Sequence, residues 1–470
     1  MNKKELVDVL NADIASRNTL TQLDDVVSNI TTNLQTATAA DVVFYKVHNN
    51  EKSIEDFNKR LKGKNPGLIV LNHGAESLVK ADNCIFVDAA KFLILQKKVL
   101  DIMFPNKGQM KIIGVTGTNG KTTTVNLAMQ ISTQLGHPAI SVGTIGVQDA
   151  NGALIEDLES TTPSYVEFRK IIHRFQEKYQ ACFVEVSSHA LVQDRIYDIA
   201  LDAAAWTSFS QDHLDYHKTM EEYFDAKMLI EKKYLKEGKS LIVPSFEKDL
   251  YQNILKKNPN ARVKVARTLD ERKMTERPLF YHSSYNQSNA EVALQLNSDL
   301  WGEDKINSLS LKNIKTPLGR FSVIEMDNEG MAIVDYAHTP DALINIGEAI
   351  RKAFPNHSLT VVFGCGGNRD KTKRPLMGKA VAGFADKVVV TSDNPRDEAP
   401  EDIIIDIIAG ISTGYEAVVD RKKAILFALE AMKKKEIVLI AGKGHEEYQE
   451  IKGVKHPFSD FNIVSQFKRG

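Results

Sequence analysis

The chain has 470 residues, of which 43% are hydrophobic and 26% charged, and its formal net charge is -1. This length exceeds what one hydrophobic core usually supports, so we expect two or three domains. The balanced charge argues against a nucleic-acid or polyanion binder, and no apolar run approaches the roughly 20 residues needed to cross a bilayer.

The amino-terminal segment and the cysteines favour a cytoplasmic protein. The segment MNKKELVDVLNADIASRN is polar and amphipathic and lacks the apolar centre of a signal peptide. Cys84, Cys182 and Cys365 are far apart in the sequence and do not have metal-ligand spacing. We therefore expect a reducing environment in which the three cysteines are small buried hydrophobic side chains.

The predicted elements along the first two thirds of the chain belong to the α/β class. Residues 1–88 mix short apolar runs such as DVVFYKV and PGLIVL with polar connections, which is typical of a small α/β domain. A predicted helix, DAAKFLILQKKVLDIMF, is followed by a turn signal at residues 105–108. From Lys111, amphipathic stretches alternate with the apolar runs KIIGV, PAISVGTIGV, ACFVEVSS and LDAAAWTSF. Such alternation predicts a mainly parallel sheet covered by helices.

The alternation restarts after Gly319 and Arg320, with the runs MAIVDYAH, SLTVVFGCG, KVVVTSDNP and EIVLIAGKG. Each run ends in a loop rich in Gly, Asp, Asn or His, where open α/β sheets bind ligands. The sequence therefore predicts three domains. They are a small N-terminal α/β domain (1–88), a central domain with a mainly parallel sheet flanked by helices (89–318) and a Rossmann-like α/β C-terminal domain (319–470).

A glycine-rich turn, GVTGTNGKTTT, joins the predicted strand after Lys111 to a predicted helix. Glycines permit the tight turn in which backbone N–H groups face phosphate oxygens, the lysine adds positive charge, and a hydroxyl can bind Mg²⁺. Val115 stands where the strict P-loop pattern has its first glycine, but strand, turn and helix follow in the right order. The residues predicted to bind the nucleotide phosphates are Gly117, Thr118, Asn119, Gly120, Lys121, Thr122 and Thr123. Kinases, switches, motors and ligases all remain possible at this point.

Longer strings narrow this choice. In chain order they are GTNGKTT, EVSSHAL, DHLDYH, YFDAK, VDYAHTPDAL, GCGGNRDKTKRPLMG, SDNPR and AGKGHEEYQ. Together they resemble the Mur ligase family, above all its MurE type, which adds the third residue of the peptidoglycan stem peptide. The resemblance extends from residue 111 to the end, roughly three quarters of the chain. It implies an N-terminal domain for the UDP end of the substrate, a central domain for ATP and a C-terminal domain for the amino acid.

The resemblance implies an ATP-dependent amide ligase. ATP would phosphorylate the D-glutamate side chain of UDP-N-acetylmuramoyl-L-alanyl-D-glutamate, and the amine of meso-diaminopimelate would then displace phosphate. Lys121 and two Mg²⁺ ions would hold the two anions together. The implied metal ligands are Thr122, Glu185, His213 and Lys227, the last as a carbamate formed with CO₂. Glu185 is predicted to stand at the end of the buried strand ACFVEV. From spacing alone, Lys227 reads as a solvated helix lysine and Glu185 as a strand-end residue that caps a helix.

The remaining contacts that the resemblance implies belong to three ligands. For adenine and ribose they are Asn289, Arg320, Asp335 and His338. For the UDP-muramoyl-dipeptide they are Thr161, Thr162, Ser187, Gln193 and Arg195. For diaminopimelate they are Arg369, Asp393, Asn394, Pro395, Arg396, Gly442 and Glu446. The N-terminal region ITTNLQTATAADVVFYKV lacks the family's Asp-Ser-Arg string, so no uracil-binding residue is assigned.

The string DNPR, which ends at Arg396, indicates the incoming amino acid. It resembles the members that use meso-diaminopimelate, whereas those that use L-lysine usually lack this arginine. Diaminopimelate differs from lysine by one carboxylate, which a planar guanidinium can bind. The alternatives are an L-lysine-adding ligase of the same type, a folylpolyglutamate synthetase-like ligase, and an ATP-dependent switch or scaffold that does not ligate. We expect a monomer with small-molecule substrates and neither nucleic acid nor membrane as a partner.

Overall fold

The computed structural model describes residues 5–6, 9, 27–47, 51–72, 84–268, 284–307, 309–312, 314–326, 329–412 and 414–469. Most of the amino-terminal segment discussed above lies outside these ranges. The chain forms two compact units. The first comprises Met1–Lys111, Thr162–Cys182 and Ala190–Ala200, and the second comprises Ile112–Thr161, Phe183–His189 and Leu201–Gly470. The three domain ranges given above stay predictions.

Strands and helices alternate along most of the described chain. The strands are β1 (Asn29–Thr31), β2 (Asp41–Tyr45), β3 (Leu68–Asn72), β4 (Cys84–Val87), β5 (Lys111–Thr116), β6 (Ala139–Gly143), β7 (Gly146–Asp149), β8 (Leu154–Glu156), β9 (Ala181–Glu185), β10 (Ala203–Trp206), β11 (Leu241–Val243), β12 (Val263–Val265), β13 (Ser322–Glu325), β14 (Met331–Asp335), β15 (Ser358–Phe363), β16 (Lys387–Val390), β17 (Glu416–Ala417), β18 (Glu436–Ala441), β19 (Tyr448–Ile451) and β20 (Val454–Pro457). The helices are α1 (Glu51–Leu61), α2 (Ala89–Met103), α3 (Lys121–Gln134), α4 (Tyr165–Phe175), α5 (Ser188–Val192), α6 (Leu214–His217), α7 (Met220–Leu229), α8 (Lys248–Lys257), α9 (Ser284–Trp301), α10 (Glu303–Asn307), α11 (Pro340–Ala353), α12 (Lys373–Ala382), α13 (Pro400–Ile408), α14 (Arg421–Glu430) and α15 (Asp460–Arg469). A π-helix, Ile230–Tyr234, continues α7.

The first unit is built on a parallel sheet with the strand order β1–β2–β3–β4. Val43 and Ile69 from this sheet share a buried cluster with Phe57 of α1. The helix predicted after residue 88 is present as α2, and the Asp88 carboxylate caps it by accepting the Ala90 N–H. Burial of the apolar side chains from strands and helix in one cluster stabilises this unit.

The second unit contains an eight-stranded sheet with the order β12–β11–β10–β5–β9–β6–β7–β8. The pairs from β12 to β5 are parallel, and β6, β7 and β8 are antiparallel. The apolar run at residues 138–147 is therefore not one strand but a hairpin of β6 and β7, because the chain reverses between Gly143 and Gly146. Helices α3 and α9 pack against each other and cover the sheet.

The second unit also contains a six-stranded sheet with the order β13–β14–β18–β15–β16–β17, parallel except for β13. Val334, Val362 and Ile440 pack against α14 and α15. Because β14, β18, β15 and β16 are parallel neighbours, the loops that follow them leave the same edge of the sheet. The predicted α/β fold with mainly parallel sheets flanked by helices is confirmed.

The cysteines and the apolar character of the helices were also considered in the sequence. Cys84, Cys182 and Cys365 are free and buried, as predicted. Among the helices of the described ranges, none combines the length and apolar character needed to span a membrane.

Candidate active site

The predicted phosphate cradle is a tight turn between β5 and α3. Gly117 has a φ of 149° and Gly120, which caps α3, has a φ of 87°. A Cβ atom on Gly117 would lie 2.0 Å from Thr207 Oγ1, and one on Gly120 would lie 2.4 Å from Asn289 Oδ1. The turn therefore requires glycine at both positions, for its backbone angles and for space.

The loop is held in place from the neighbouring strand end. Ser208 accepts the Thr118 N–H with its carbonyl and the Asn119 N–H with its hydroxyl, both at 2.9 Å. The Thr118 hydroxyl lies 3.1 Å from Ser210 O and 3.2 Å from the Tyr223 hydroxyl. The cradle is therefore fixed before any nucleotide binds.

Lys121 lies folded over this loop. Its Nζ donates to the carbonyl oxygens of Gly117 at 2.8 Å and Thr118 at 3.0 Å. Burial lowers the pKa of Lys121, while Glu185 and Asp212 oppose the change. Lys121 has no salt bridge to any residue that the structure describes, so a phosphate would supply the counter-charge that this partly buried amine lacks.

Glu185 ends β9, as predicted, and collects hydroxyl groups. Its Oε2 accepts from Thr122 Oγ1 at 3.0 Å and from Thr144 Oγ1 at 3.2 Å, and its Oε1 accepts the Thr144 N–H at 2.9 Å. Thr161 Oγ1 lies 3.2 Å from Thr144 Oγ1. These are the hard oxygen donors that Mg²⁺ prefers. The residues described contain no group of three His, Cys, Asp or Glu side chains able to hold a metal, so Mg²⁺ here would complete its shell with water and phosphate oxygens.

Lys227 and His213 lie near the cradle lysine. Lys227 is 1% exposed, and its Nζ lies 4.6 Å from the centre of the Tyr223 ring. Burial and the charge of Lys121 lower its pKa well below the usual value. Burial lowers the pKa of His213 to about 3, and Lys121 and Lys227 contribute to the decrease. Glu185, Lys227 and His213 therefore all lie close enough to Lys121 for their charges to interact, and the lowered pKa of His213 favours the neutral imidazole that a metal ligand needs.

A cavity of about 250 Å³ adjoins the cradle. Asn289, Arg320 and Asp335, all predicted to contact the nucleoside, line it. The Arg320 guanidinium lies 4.3 Å from the centre of the Tyr336 ring and donates to Thr122 Oγ1 at 3.0 Å, while its buried Nε lacks a partner among the described residues. An unsatisfied buried donor beside the cradle fits an anionic ligand such as ATP.

Asp335 and His338 have structural contacts of their own. Asp335 accepts the N–H groups of Phe321 and Ala337, both at 2.7 Å, and so fixes the loop that carries Arg320. His338 Nδ1 lies 2.9 Å from the Tyr336 carbonyl oxygen, and burial lowers the pKa of His338 to about 4. Asp335 ends strand β14, and the Thr339 side chain caps the helix that follows His338.

The residues predicted to bind the amino acid converge at the edge of the six-stranded sheet. Asn394 Nδ2 and Lys443 Nζ both donate to Glu446 Oε2, at 2.9 Å and 2.6 Å. A Cβ atom on Gly442 would lie 2.7 Å from Asp393 Oδ2, so glycine permits this approach.

Two arginines extend this cluster. Arg396 donates to Gly367 O at 2.9 Å and to Glu450 Oε2 at 3.2 Å. Arg369 is exposed and approaches Gly366, as Arg396 does. Pro395 packs on Gly367, where its carbonyl oxygen would lie 1.9 Å from an added Cβ atom.

The residues predicted to bind the muramoyl-dipeptide fall in both compact units. Thr162, Gln193 and Arg195 belong to the first, where Arg195 donates to Thr162 O at 2.7 Å and to Gln193 Oε1 at 2.8 Å. Thr161 and Ser187 belong to the second, and Ser187 lies two residues after Glu185, which ends β9.

Sequence reasoning missed three polar residues of the second unit. Thr144, which holds Glu185, directly follows the buried strand β6, so the rule on strand ends could have found it. Asp212 and Lys373 form a buried ion pair with a separation of 3.4 Å. Both lie inside strings that carried the family resemblance, but no local pattern pairs them.

Comparison with known proteins gives the family. Residues 115–310 match the Mur ligase middle domain, and residues 319–444 match the Mur ligase glutamate ligase domain. A protein of Aquifex aeolicus (strain VF5) named UDP-N-acetylmuramoyl-L-alanyl-D-glutamate--2,6-diaminopimelate ligase is 39% identical over 385 residues, which are 77% of this chain and 78% of that protein. The chain belongs to the Mur ligase family. Members of the Mur ligase family are ATP-dependent acid–amino-acid ligases, and this chain is a ligase of that family.

Two further similarities extend over nearly the whole chain. The Rickettsia rickettsii protein with the same name is 35% identical over 93% of this chain and 95% of its own length. A solved structure of a UDP-N-acetylmuramoyl-L-alanyl-D-glutamate--2,6-diaminopimelate ligase covers 98% of both chains with a TM-score of 0.57 and 26% identity. The Mur ligase resemblance and fold predicted from the sequence are thus confirmed.

Proposed function

We propose that this Mur ligase joins meso-diaminopimelate to UDP-N-acetylmuramoyl-L-alanyl-D-glutamate, with hydrolysis of ATP to ADP and phosphate. The observation that carries the proposal is the cluster of Arg396, Asn394 and Glu446, which lies in the same compact unit as the phosphate cradle. The names of the relatives in Aquifex and Rickettsia support the choice of substrates.

In the first step, a carboxylate oxygen of the D-glutamate side chain attacks the γ-phosphorus of ATP. The bond to the bridging oxygen breaks, ADP leaves with the electron pair, and an acyl phosphate forms. Lys121 and Arg320 offset the charge of the phosphates, and Thr122 with Glu185 offers oxygen donors to Mg²⁺. The metal ion, when bound, adds positive charge between two anions that otherwise repel each other.

In the second step, the amine of diaminopimelate attacks the acyl carbon. The tetrahedral intermediate expels phosphate with the bonding electron pair, and the amine nitrogen loses a proton. Arg396 binds the distal carboxylate that lysine lacks, and Glu446 Oε1 accepts the distal ammonium, since the bonds from Asn394 and Lys443 use Oε2. If lysine bound instead, Arg396 would have no carboxylate partner, and this loss lowers the affinity for lysine.

Lys227 is proposed to hold the second Mg²⁺ as a carbamate. Its nitrogen attacks CO₂ and loses a proton, which converts a cation into an anion. The reaction needs an uncharged amine, and burial lowers the pKa of Lys227 in that direction. Incubation with ¹³C-labelled bicarbonate should give a carbamate signal in ¹³C NMR that is missing in Lys227→Ala.

The other site assignments belong to the same proposal. His213 serves as a Mg²⁺ ligand, Asn289, Asp335 and His338 adjoin the nucleoside, and the muramoyl-dipeptide takes the contacts predicted for it above. We also propose that the enzyme is a monomer and acts in the cytoplasm.

A panel of amines tests the function. Phosphate release and amide product are measured with UDP-muramoyl-dipeptide, ATP and, in turn, meso-diaminopimelate, L-lysine or L-glutamate. We expect product with diaminopimelate and turnover at least about tenfold lower with L-lysine. Equal rates with lysine favour the lysine-adding alternative. Folylpolyglutamate formed in a separate assay with L-glutamate and a folate favours the folylpolyglutamate synthetase-like alternative. ATP hydrolysis that needs no amine favours the switch.

A further inference from the structure

We propose that Lys373 is a positioning residue that links the amino-acid-binding loop to the ATP site through its ion pair with Asp212. The inference rests on the proposed function because it assigns His213 to the ATP site. Lys373 begins α12, four residues after Arg369, and its Nζ lies 3.4 Å from Asp212 Oδ1. The two side chains are only 9% and 8% exposed, so the attraction between them is weakly screened by solvent.

Asp212 in turn fixes the backbone of His213. His213 has a φ of 54°, a left-handed conformation that residues other than glycine seldom adopt. The Asp212 carboxylate accepts the His213 N–H at 2.9 Å, and its other oxygen lies 3.5 Å from His213 Nε2. One carboxylate therefore holds both the backbone and the imidazole of His213, and Lys373 holds that carboxylate.

A second contact joins the same two loops. Gln211 Nε2 donates to Thr372 Oγ1 at 3.0 Å and to Asp370 Oδ2 at 3.3 Å. Asp370 follows Arg369, which the proposed function places at the amino acid. Contacts from neighbouring residues on both sides join the loop of Arg369 to the loop of His213.

The charge of Lys373 also protects the nucleotide site. Asp212 lies two residues after Ser210, whose carbonyl oxygen is 3.1 Å from the Thr118 hydroxyl of the phosphate cradle. Without Lys373, a buried anion would face the region where the γ-phosphate binds, and it would repel ATP.

A double-mutant cycle tests the inference with nucleotide binding as its readout. The affinity of a non-hydrolysable ATP analogue is measured over a Mg²⁺ titration for wild type, Lys373→Met, Asp212→Asn and the double variant. We expect Lys373→Met to weaken binding about tenfold, because it leaves the Asp212 carboxylate unpaired. The double variant should recover most of that loss, since asparagine can still accept the His213 N–H. Lys371→Met is the matched control, because Lys371 is 66% exposed and pairs with Glu398 instead.

Steady-state kinetics give a second readout. Lys373→Met should lower kcat and raise the Mg²⁺ requirement while leaving the KM for diaminopimelate within about twofold, since Lys373 touches Asp212 and not the proposed pocket. If Lys373→Met fails to fold, Lys373→Arg keeps the charge and should retain nucleotide affinity. Wild-type affinity in Lys373→Met, or strictly additive losses in the cycle, would overturn the inference. Failure of the wild type to ligate any amine overturns the proposed function alone, because the binding cycle needs no turnover.

Discussion

Arg396 has a φ of 53°, in the left-handed region that favours glycine. The strain is held by the hairpin of β19 and β20, because the Arg396 N–H donates to Glu450 O and the Arg396 carbonyl accepts from the Lys452 N–H. The side chain is thereby directed at Gly366 and Gly367, whose lack of side chains makes room for it. A strained backbone that the surroundings hold in one conformation is typical of functional positions.

Replacement of this guanidinium should affect one substrate. We expect Arg396→Ala to raise the KM for diaminopimelate about 10- to 100-fold, because a charge-assisted pair of hydrogen bonds is lost, with little change in the KM for ATP. Initial rates at varied concentrations of each substrate give the two constants. Arg267→Ala, at an exposed arginine, is the control, and equal effects of Arg396→Ala on both KM values would remove Arg396 from the pocket.

Lys227 is proposed to supply an anionic ligand for the second Mg²⁺, and its removal should therefore affect turnover. Lys227→Ala should lower kcat at least about 100-fold, because the second Mg²⁺ loses its anionic ligand. Short carboxylic acids such as acetate or formate should restore part of the rate by occupying the vacated space. Lys233→Ala, on the π-helix that follows α7, serves as the control. Full activity of Lys227→Ala would end the carbamate proposal.

At the scale of elements, the phosphate turn is packed closely against a neighbouring helix and a neighbouring loop. Gly120 meets Asn289 of α9, which also accepts from Thr124 Oγ1 at 3.3 Å, and Gly117 meets the loop after β10. Helix α9 therefore helps to fix the start of α3 through Asn289. A side chain added at Gly117 or Gly120 would therefore disturb the turn together with α9 or the loop after β10.

A pair of glycine substitutions separates backbone strain from crowding. Gly120→Ala should weaken nucleotide binding about tenfold or more, because both its positive φ and the contact with Asn289 oppose a methyl group. Gly136→Ala is the matched control, since Gly136 has a φ of 85° with nothing within 4 Å of an added Cβ. Nucleotide affinity by calorimetry and thermal stability are measured for both. If the two variants bind nucleotide equally well, the contact with Asn289 has no effect on the cradle.

Features of the site that depend on local chemistry could be predicted from the sequence, whereas those that depend on tertiary packing could not. Glu185 at the end of a strand, Thr339 as a helix cap and the glycines of the turn follow from local chemistry, so their places were predictable. The hairpin of β6 and β7 was not, because an apolar run does not reveal where the chain reverses. The pair of Asp212 and Lys373 joins residues 161 apart in the sequence, and only the packing of two loops brings them together.

At the scale of the whole molecule, the chain builds its first unit from three separate segments. Arg169 of α4 shows why the later segments are needed. Its guanidinium is 2% exposed and donates to Asp101 at 2.7 Å, and it lies 3.3 Å from Asp198. The first 111 residues alone would lack Arg169 and Asp198, so folding of this unit depends on contacts distant in sequence.

Loss of that arginine should therefore destabilise the first unit. We expect Arg169→Met to lower its free energy of unfolding by about 2–3 kcal/mol, because two carboxylates lose a shared partner. Hydrogen exchange in α2 and α4 measures the effect. Arg174→Met, at an exposed position of the same helix, should change exchange little. Comparable protection in both variants would contradict the assigned role.

The last helix of the chain has a consequence for protein engineering. Asp460, its first residue, meets Arg421 with both side chains at 0% exposure, and Arg421 Nη1 also lies 4.0 Å from Asp393 Oδ2. Truncation before residue 460, or a C-terminal fusion that unwinds this helix, would remove the partner of Arg421. The Arg421 guanidinium could then move toward Asp393 and disturb the DNPR loop. A C-terminal affinity tag should therefore be joined through a linker that leaves this helix intact.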